Sequence, residues 1–188
     1  DHMFPMRSLN KGTTDEDIAH FVQESSLEST RFISQPKLDG SALSLEYRKG
    51  RLVRAATRGS GDRGEDVTKN ARRVDNVPSA LGVDVDVHIR GEVVMKLSVF
   101  EEKYRDISPN PRNLAAGALR QKKADGKADA SDLVFLAYDA KFPREGDRHP
   151  DSTTPPNEKF DSAILEWLTK TAGVEPAPWV VHNSAKEI

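Results

Sequence analysis

Leu43, Leu45 and Tyr47 alternate with Ser44 and Glu46, and after Arg48-Lys49-Gly50 the segment 52–57 returns as a second extended run. A period of two sends apolar side chains to one face of a strand and polar ones to the other, and a glycine-bearing turn reverses the chain. This pattern commits the chain to an antiparallel hairpin with one buried face. Residues 32–34 read as a short strand running into Gln35-Pro36-Lys37. Residues 85–95 are rich in valine and read as a strand interrupted at Gly91, and residues 133–138 as another. Thr13 with Glu16 forms a capping box before a helix that carries Ile18, Phe21 and Val22 on one face. Glu65, Asp66 and Val67 open a helix with acid at its positive end. Ser98 with Glu101 gives a second capping box, for a short helix ending near Asp106. Asn110-Pro111 places a cap residue before a first-turn proline and starts a helix through 112–121. A last helix, about 161–171, carries Ile164, Leu165 and Leu168 and stops before Gly173. From Pro143 to Glu158 the chain is polar and proline-rich, an exposed connection. Hairpins mixed with separate helices predict an α+β fold with mostly antiparallel sheet and flanking helices.

The length, 188 residues, suits one domain with a sizeable core, or one that has been cut. With no cysteine there is no disulfide framework and no thiolate metal site. A formal net charge of -2 excludes whole-molecule attraction to a polyanion, so nucleic-acid contact requires a local basic patch. No apolar run approaches the ~18 residues that a membrane helix needs. None of the five histidines pairs with another at metal-ligand spacing, and Trp167 and Trp179 read as core or surface anchors.

Four segments hold the candidate chemistry. Lys37-Leu38-Asp39-Gly40 follows a strand and places a lysine where it could act as a nucleophile on phosphorus; alone, the four residues favour a turn with a solvated lysine. In Ala56-Thr57-Arg58-Gly59-Ser60-Gly61-Asp62-Arg63-Gly64-Glu65-Asp66-Val67-Thr68, the glycines would let backbone approach a phosphate or sugar, and Arg58 could grip one. An ordinary hairpin exit loop explains this segment equally well. Ile89-Arg90-Gly91-Glu92-Val93 puts a glutamate inside an apolar strand, which calls for a ligand, a metal or a cation unless alternation turns Glu92 to water. In Asn110 to Gln121, small residues allow close packing on a sheet. Arg112 and Arg120 stand roughly 80° apart around the helix and suit phosphate; an alanine-rich core helix with solvated arginines is the plain alternative.

Order and spacing tie these segments together. With Pro5-Met6-Arg7-Ser8-Leu9 ahead of them, they resemble the bacterial NAD-dependent DNA ligases in their adenylation domain, over essentially the whole chain. The glycine segment and the Asn110 to Gln121 helix are the specific matches. The resemblance implies a nucleotidyltransferase (ATP-grasp-like) domain, with a nucleotide-binding core over 5–140, a polar connection over 143–158 and a C-terminal helix and strand over 160–188. It implies Lys37 as the adenylated lysine and Asp39 as its support. Ser8, Leu9, Gln35, Leu38 and Arg58 would line the nucleotide pocket. Glu92 would meet ribose or magnesium, Tyr138 would stack on adenine, and Arg112 and Arg120 would hold phosphates of adenylate or DNA. NAD is the implied AMP donor and Mg2+ the implied metal. Nicked double-stranded DNA and AMP are the implied partners, with a monomer in the cytoplasm near the bacterial nucleoid.

Three departures stand out: Gln35 replaces the family's glutamate, Ser60 replaces the aspartate of Gly-Asp-Gly, and Asn10-Lys11 replaces an aspartate after Ser8-Leu9. The family's later Asp-Gly-Val-Val-x-Lys strand does not occur before Ile188, so a partial domain, incomplete at the C-terminus, is expected. The chain alone is expected to bind AMP weakly and not to adenylate itself from NAD. Two other readings remain: an ATP-dependent polynucleotide ligase or RNA-sealing nucleotidyltransferase, and a non-catalytic nucleotide- or DNA-binding module.

Overall fold

The computed structural model describes residues 1–6, 11–24, 31–122, 128–143, 155–158, 161–184 and 187. Two compact units emerge, Asp1–Met6 with Leu38–Ala177, and Arg7–Lys37 with Pro178–Ile188.

The larger unit is built on a four-stranded antiparallel sheet of order β3-β2-β4-β5. Its strands are β2 (Ser41–Arg48), β3 (Arg51–Thr57), β4 (Val87–Met95) and β5 (Leu133–Lys141). The hairpin that opens the sheet turns on two residues, Lys49 (φ 47°) and Gly50 (φ 69°). Positive φ at both positions is the turn whose twist matches the strands it joins. A side chain at position 50 would also meet the Val83 carbonyl at 2.4 Å, so glycine is required twice over. Alternation then sorts the residues. Leu43, Leu45 and Tyr47 of β2, Val87, Ile89 and Val93 of β4, and Leu133, Phe135 and Ala137 of β5 are all buried.

The helices α2 (Thr68–Ala71), α3 (Leu97–Lys103), α4 (Pro111–Arg120) and α5 (Asp161–Trp167) complete this unit. α4 packs on β4 and β2, and α5 on β5. Leu114, Ala115, Ala118 and Leu119 form the buried side of α4. Asn110 caps it, its side-chain oxygen accepting from the Asn113 N–H at 2.9 Å, with Pro111 in the first turn as the sequence predicts. α5 continues into a wider π turn over Leu168–Ala172 and ends at Gly173, φ 74°. Trp167 packs edge-on against Phe142, at 5.0 Å between ring centres.

In the smaller unit, β1 (Phe32–Ser34) pairs antiparallel with β6 (Val180–His182), and α1 spans Asp15–Glu24. Its cap differs from expectation. Thr14, not Thr13, accepts from the Asp17 N–H, and the Asp17 carboxylate accepts from both Thr13 and Thr14 N–H. The reciprocal partner is therefore aspartate one position later than Glu16. The second expected capping box does not form: α3 starts at Leu97, which puts Ser98 inside the helix, and Lys96 at the cap makes no side-chain bond. Gly91 does not interrupt β4 either; it marks a register shift against β5.

On the polar side of the sheet, His88 is buried within a charged cluster. Glu46 pairs with Arg54 at 2.9 Å and with Arg48 at 3.1 Å, and Arg48 lies 3.6 Å from Asp86. The His88 Nε2 has no hydrogen-bond partner among the described residues and borders a cavity of about 10 Å³, room for one water. Burial lowers the imidazole pKa to about 4; the Glu46 charge opposes this, and Arg48, Arg54 and Arg90 reinforce it. The unfolded chain takes up this proton near 6.5, the folded chain only near 4. Between those values the unfolded state binds more protons, so stability falls as pH falls, by up to about 1.4 kcal/mol per unit. Thermal unfolding followed from pH 7 to pH 4 should show this slope in the native protein. His88→Gln should flatten it, and an unchanged slope in the variant would contradict the assignment.

Candidate nucleotide site

The residues expected at a nucleotide come from separate segments, and the sheet brings part of the set together. Glu92 lies on β4 opposite Ala42 of β2 and Leu136 of β5. Between the pairs Arg90–Asp139 and Gly91–Ala137, β5 carries one extra residue, Tyr138. A bulge of this kind re-aims a side chain that regular alternation would send elsewhere. It also explains Gly91, where a side chain would meet the Leu136 carbonyl at 2.4 Å and the Phe135 ring at 2.6 Å.

The Tyr138 hydroxyl reports on its surroundings. Burial pushes its pKa up to about 12, the Glu92 and Asp139 charges push the same way, and Arg90 and Arg58 push against them. Arg58, Glu92 and Tyr138 therefore share one neighbourhood, together with Arg90 and Asp139. Sequence reasoning did not single out the last two. Arg90 stands two positions from Glu92, so strand alternation alone places both on one face. The bulge at Tyr138, which brings Asp139 into register with Arg90, has no comparable signature.

Asp39 and Arg112 meet at 3.3 Å, which joins the lysine motif to the start of α4. Their side chains are 77 % and 64 % exposed, so the pair is screened and worth about 1 kcal/mol or less. Its importance is placement. Gly40 makes the approach possible, because a side chain there would come 2.1 Å from the Val93 carbonyl. Arg120 lies apart, 3.8 Å from Glu65, beside a cleft of about 270 Å³ that is also lined by Lys69, Asn70 and Lys122. The Asn70 amide closes this end of α4 by donating to the Leu119 and Gln121 carbonyls at 2.8 and 2.7 Å.

Lys37 and Gln35 belong to the smaller unit. Lys37 is exposed and Leu38 half-buried. The Gln35 side-chain nitrogen is buried without a hydrogen-bond partner among the described residues, so it retains a donor. Ser8 and Leu9 lie outside the described residues.

The glycine loop departs from the expectation of a phosphate cradle. Gly59 is at φ 55° with Arg63 backbone where a side chain would stand, and Gly64 is pressed against the Thr57 carbonyl. These glycines serve the loop's own turn. The helix after it is only four residues long, and its Thr68 N–H is already taken by the Asp66 carboxylate at 2.9 Å. That bond and the Thr68 hydroxyl hold Asp66 below the usual carboxylate range.

For a metal, no group of three or more His, Asp or Glu side chains gathers among the described residues. A magnesium ion needs no such cage. One or two carboxylates with nucleotide phosphates suffice.

Residues 1–176 match the family model of the NAD-dependent DNA ligase adenylation domain. The chain belongs to that family. It is 41% identical to a DNA ligase of Alcanivorax borkumensis, over 97% of this chain and 24% of that protein. A DNA ligase of Hyphomonas neptunium is 44% identical over 73% of this chain and 22% of its own length. Another, from Nitrobacter hamburgensis, is 37% identical over the whole of this chain and 27% of its own. The chain thus spans about a quarter of the length of the curated relatives it matches. Among solved structures, a mycobacterial DNA ligase D complexed with ATP aligns over 82% of this chain and 42% of its own, with a TM-score of 0.45 and 17% identity. The adenylation-domain family is defined here by sequence, and the mixed, antiparallel architecture accords with it.

If Glu92 borders Tyr138 as described, Glu92→Gln should lower the ionisation midpoint of Tyr138, read by NMR of its ring carbon. A midpoint left in place would contradict the shared neighbourhood.

Proposed function

We propose that the chain serves as the adenylation domain of an NAD-dependent DNA ligase that seals nicks in duplex DNA. Lys37 Nζ attacks the α-phosphorus of NAD, a P–N bond forms, and nicotinamide mononucleotide leaves. AMP then passes to a DNA 5′-phosphate, and the 3′-hydroxyl displaces it as the strand is joined. Such transfers demand alignment and charge neutralisation more than covalent help from the protein.

The residues divide the work accordingly. Tyr138 stacks on the adenine. Gln35, whose amide retains a donor, meets the base edge. Ser8, Leu9 and Leu38 line the pocket, and Arg58 contacts the adenylate. Glu92 takes the ribose or, with phosphate oxygens, magnesium, which when bound neutralises charge on the phosphates. Asp39 holds Arg112 near the phosphates, and Arg120 reaches phosphates of the DNA. The reading places the protein in the bacterial cytoplasm at the nucleoid, acting as a monomer. It is supported above all by the match of residues 1–176 to the adenylation-domain family, and by the sheet, which sets Glu92 of β4 opposite Leu136, two positions from the bulged Tyr138.

Incubation of a full-length ligase carrying this domain with NAD or ATP, followed by peptide mapping by mass spectrometry, tests the proposal. NAD should leave AMP on Lys37, and Lys37→Ala should abolish the adduct. An adduct on another residue, or one formed only from ATP, would overturn it. The 188-residue chain alone should form no adduct from NAD.

A further inference from the structure

The N-terminal segment Asp1–Met6 is seated on the larger unit, of which it is part. The His2 N–H donates to the Asp62 carbonyl and the Met6 N–H to the Gly61 carbonyl, each at 2.8 Å. The His2 ring lies 3.0 Å from the Thr57 carbonyl. Phe4 meets His88 edge-on at 5.2 Å between ring centres. The glycine loop is shaped to receive this strap. Gly61 sits at φ 101° beneath the Met6 carbonyl, and a side chain at Gly64 would come 2.7 Å from the His2 ring nitrogen.

Arg90 joins the seat to the candidate site. Its Nη2 donates to the Phe4 carbonyl at 2.9 Å, while Nη1 lies 3.6 Å from the carboxylate of Asp139, next to Tyr138. The side chain is only 13 % exposed. On β4 it stands between His88, against Phe4, and Glu92. One planar guanidinium, always charged, thus addresses strap and sheet at once, which a point-charged lysine cannot reproduce.

We propose that Arg90 is a positioning residue for nucleotide binding, which ties the strap Asp1–Met6 to Asp139 beside the bulged Tyr138. The inference rests on the proposed function, in which Tyr138 stacks on the adenine. It also gives the glycine loop its task, the reception of the strap. A charge-assisted bond of this kind corresponds to roughly 10- to 100-fold in the balance between seated and released strap.

Two variants test it. Hydrogen exchange on the 188-residue chain should show Arg90→Met speeding exchange at the His2 and Met6 amides by about tenfold or more, with the β2–β4 amides unchanged. In the full-length ligase the same change should raise KM for NAD in Lys37 adenylation by a comparable factor and leave kcat within about twofold, with Arg90→Lys partly restoring KM. If Arg90→Met does not fold, Phe4→Ala, which alters the strap and not the sheet, should give the same exchange and KM changes. Strap exchange left unchanged, or a released strap with an unchanged KM, would overturn the proposal. A wild-type ligase without a lysyl-AMP would instead refute the functional reading, while the exchange data would still report on the seat.

Discussion

Everything at the candidate site depends on β4 as a two-faced central strand. It pairs on both sides, with β2 and with β5, so its backbone hydrogen bonds are satisfied and its position is fixed. Val87, Ile89 and Val93 go to the core, and that burial supplies the driving force. His88, Arg90 and Glu92 are carried to the other face by the same alternation. A one-residue slip would exchange the two sets, bury three ionisable groups in the core, and bring valines and isoleucine to the polar face. The chemistry of the polar face is therefore held in place by the apolar face behind it.

That arrangement was largely legible in the sequence. Leu43-Ser44-Leu45-Glu46-Tyr47 specifies its hairpin by period alone, and Asn110-Pro111 specifies the start of α4 by local chemistry. Both act within a few residues, which is why a linear reading finds them. The capping at α1 and α3 was misjudged for a related reason. Thr13 with Glu16 and Ser98 with Glu101 satisfy the spacing rule. Asp17 competes better at α1, however, because its short carboxylate accepts from both Thr13 and Thr14, and α3 begins two residues early with no side-chain bond at its cap.

What the sequence could not show is what depends on pairing between distant strands. The extra residue that places Tyr138 exists only relative to β4, so no pattern within β5 announces it. The Asp39–Arg112 contact spans more than seventy positions and rests on Gly40 allowing β2 to approach β4. The glycine loop is the clearest case of a motif recognised for one reason and built for another. Its glycines relieve contacts with Arg63, Thr57 and the N-terminal strap, and the first N–H of the helix that follows, that of Thr68, is occupied by Asp66.

On the proposed function, adenylate binds the polar face around β4, with the bulged Tyr138. Titration of the isotopically labelled chain with millimolar AMP, followed residue by residue by NMR, tests this most directly. Shifts should concentrate at Arg58, Glu92 and Ala137 to Asp139, with weak affinity. Shifts concentrated instead in the cleft beside Lys69 and Lys122, with β4 and β5 unmoved, would contradict it.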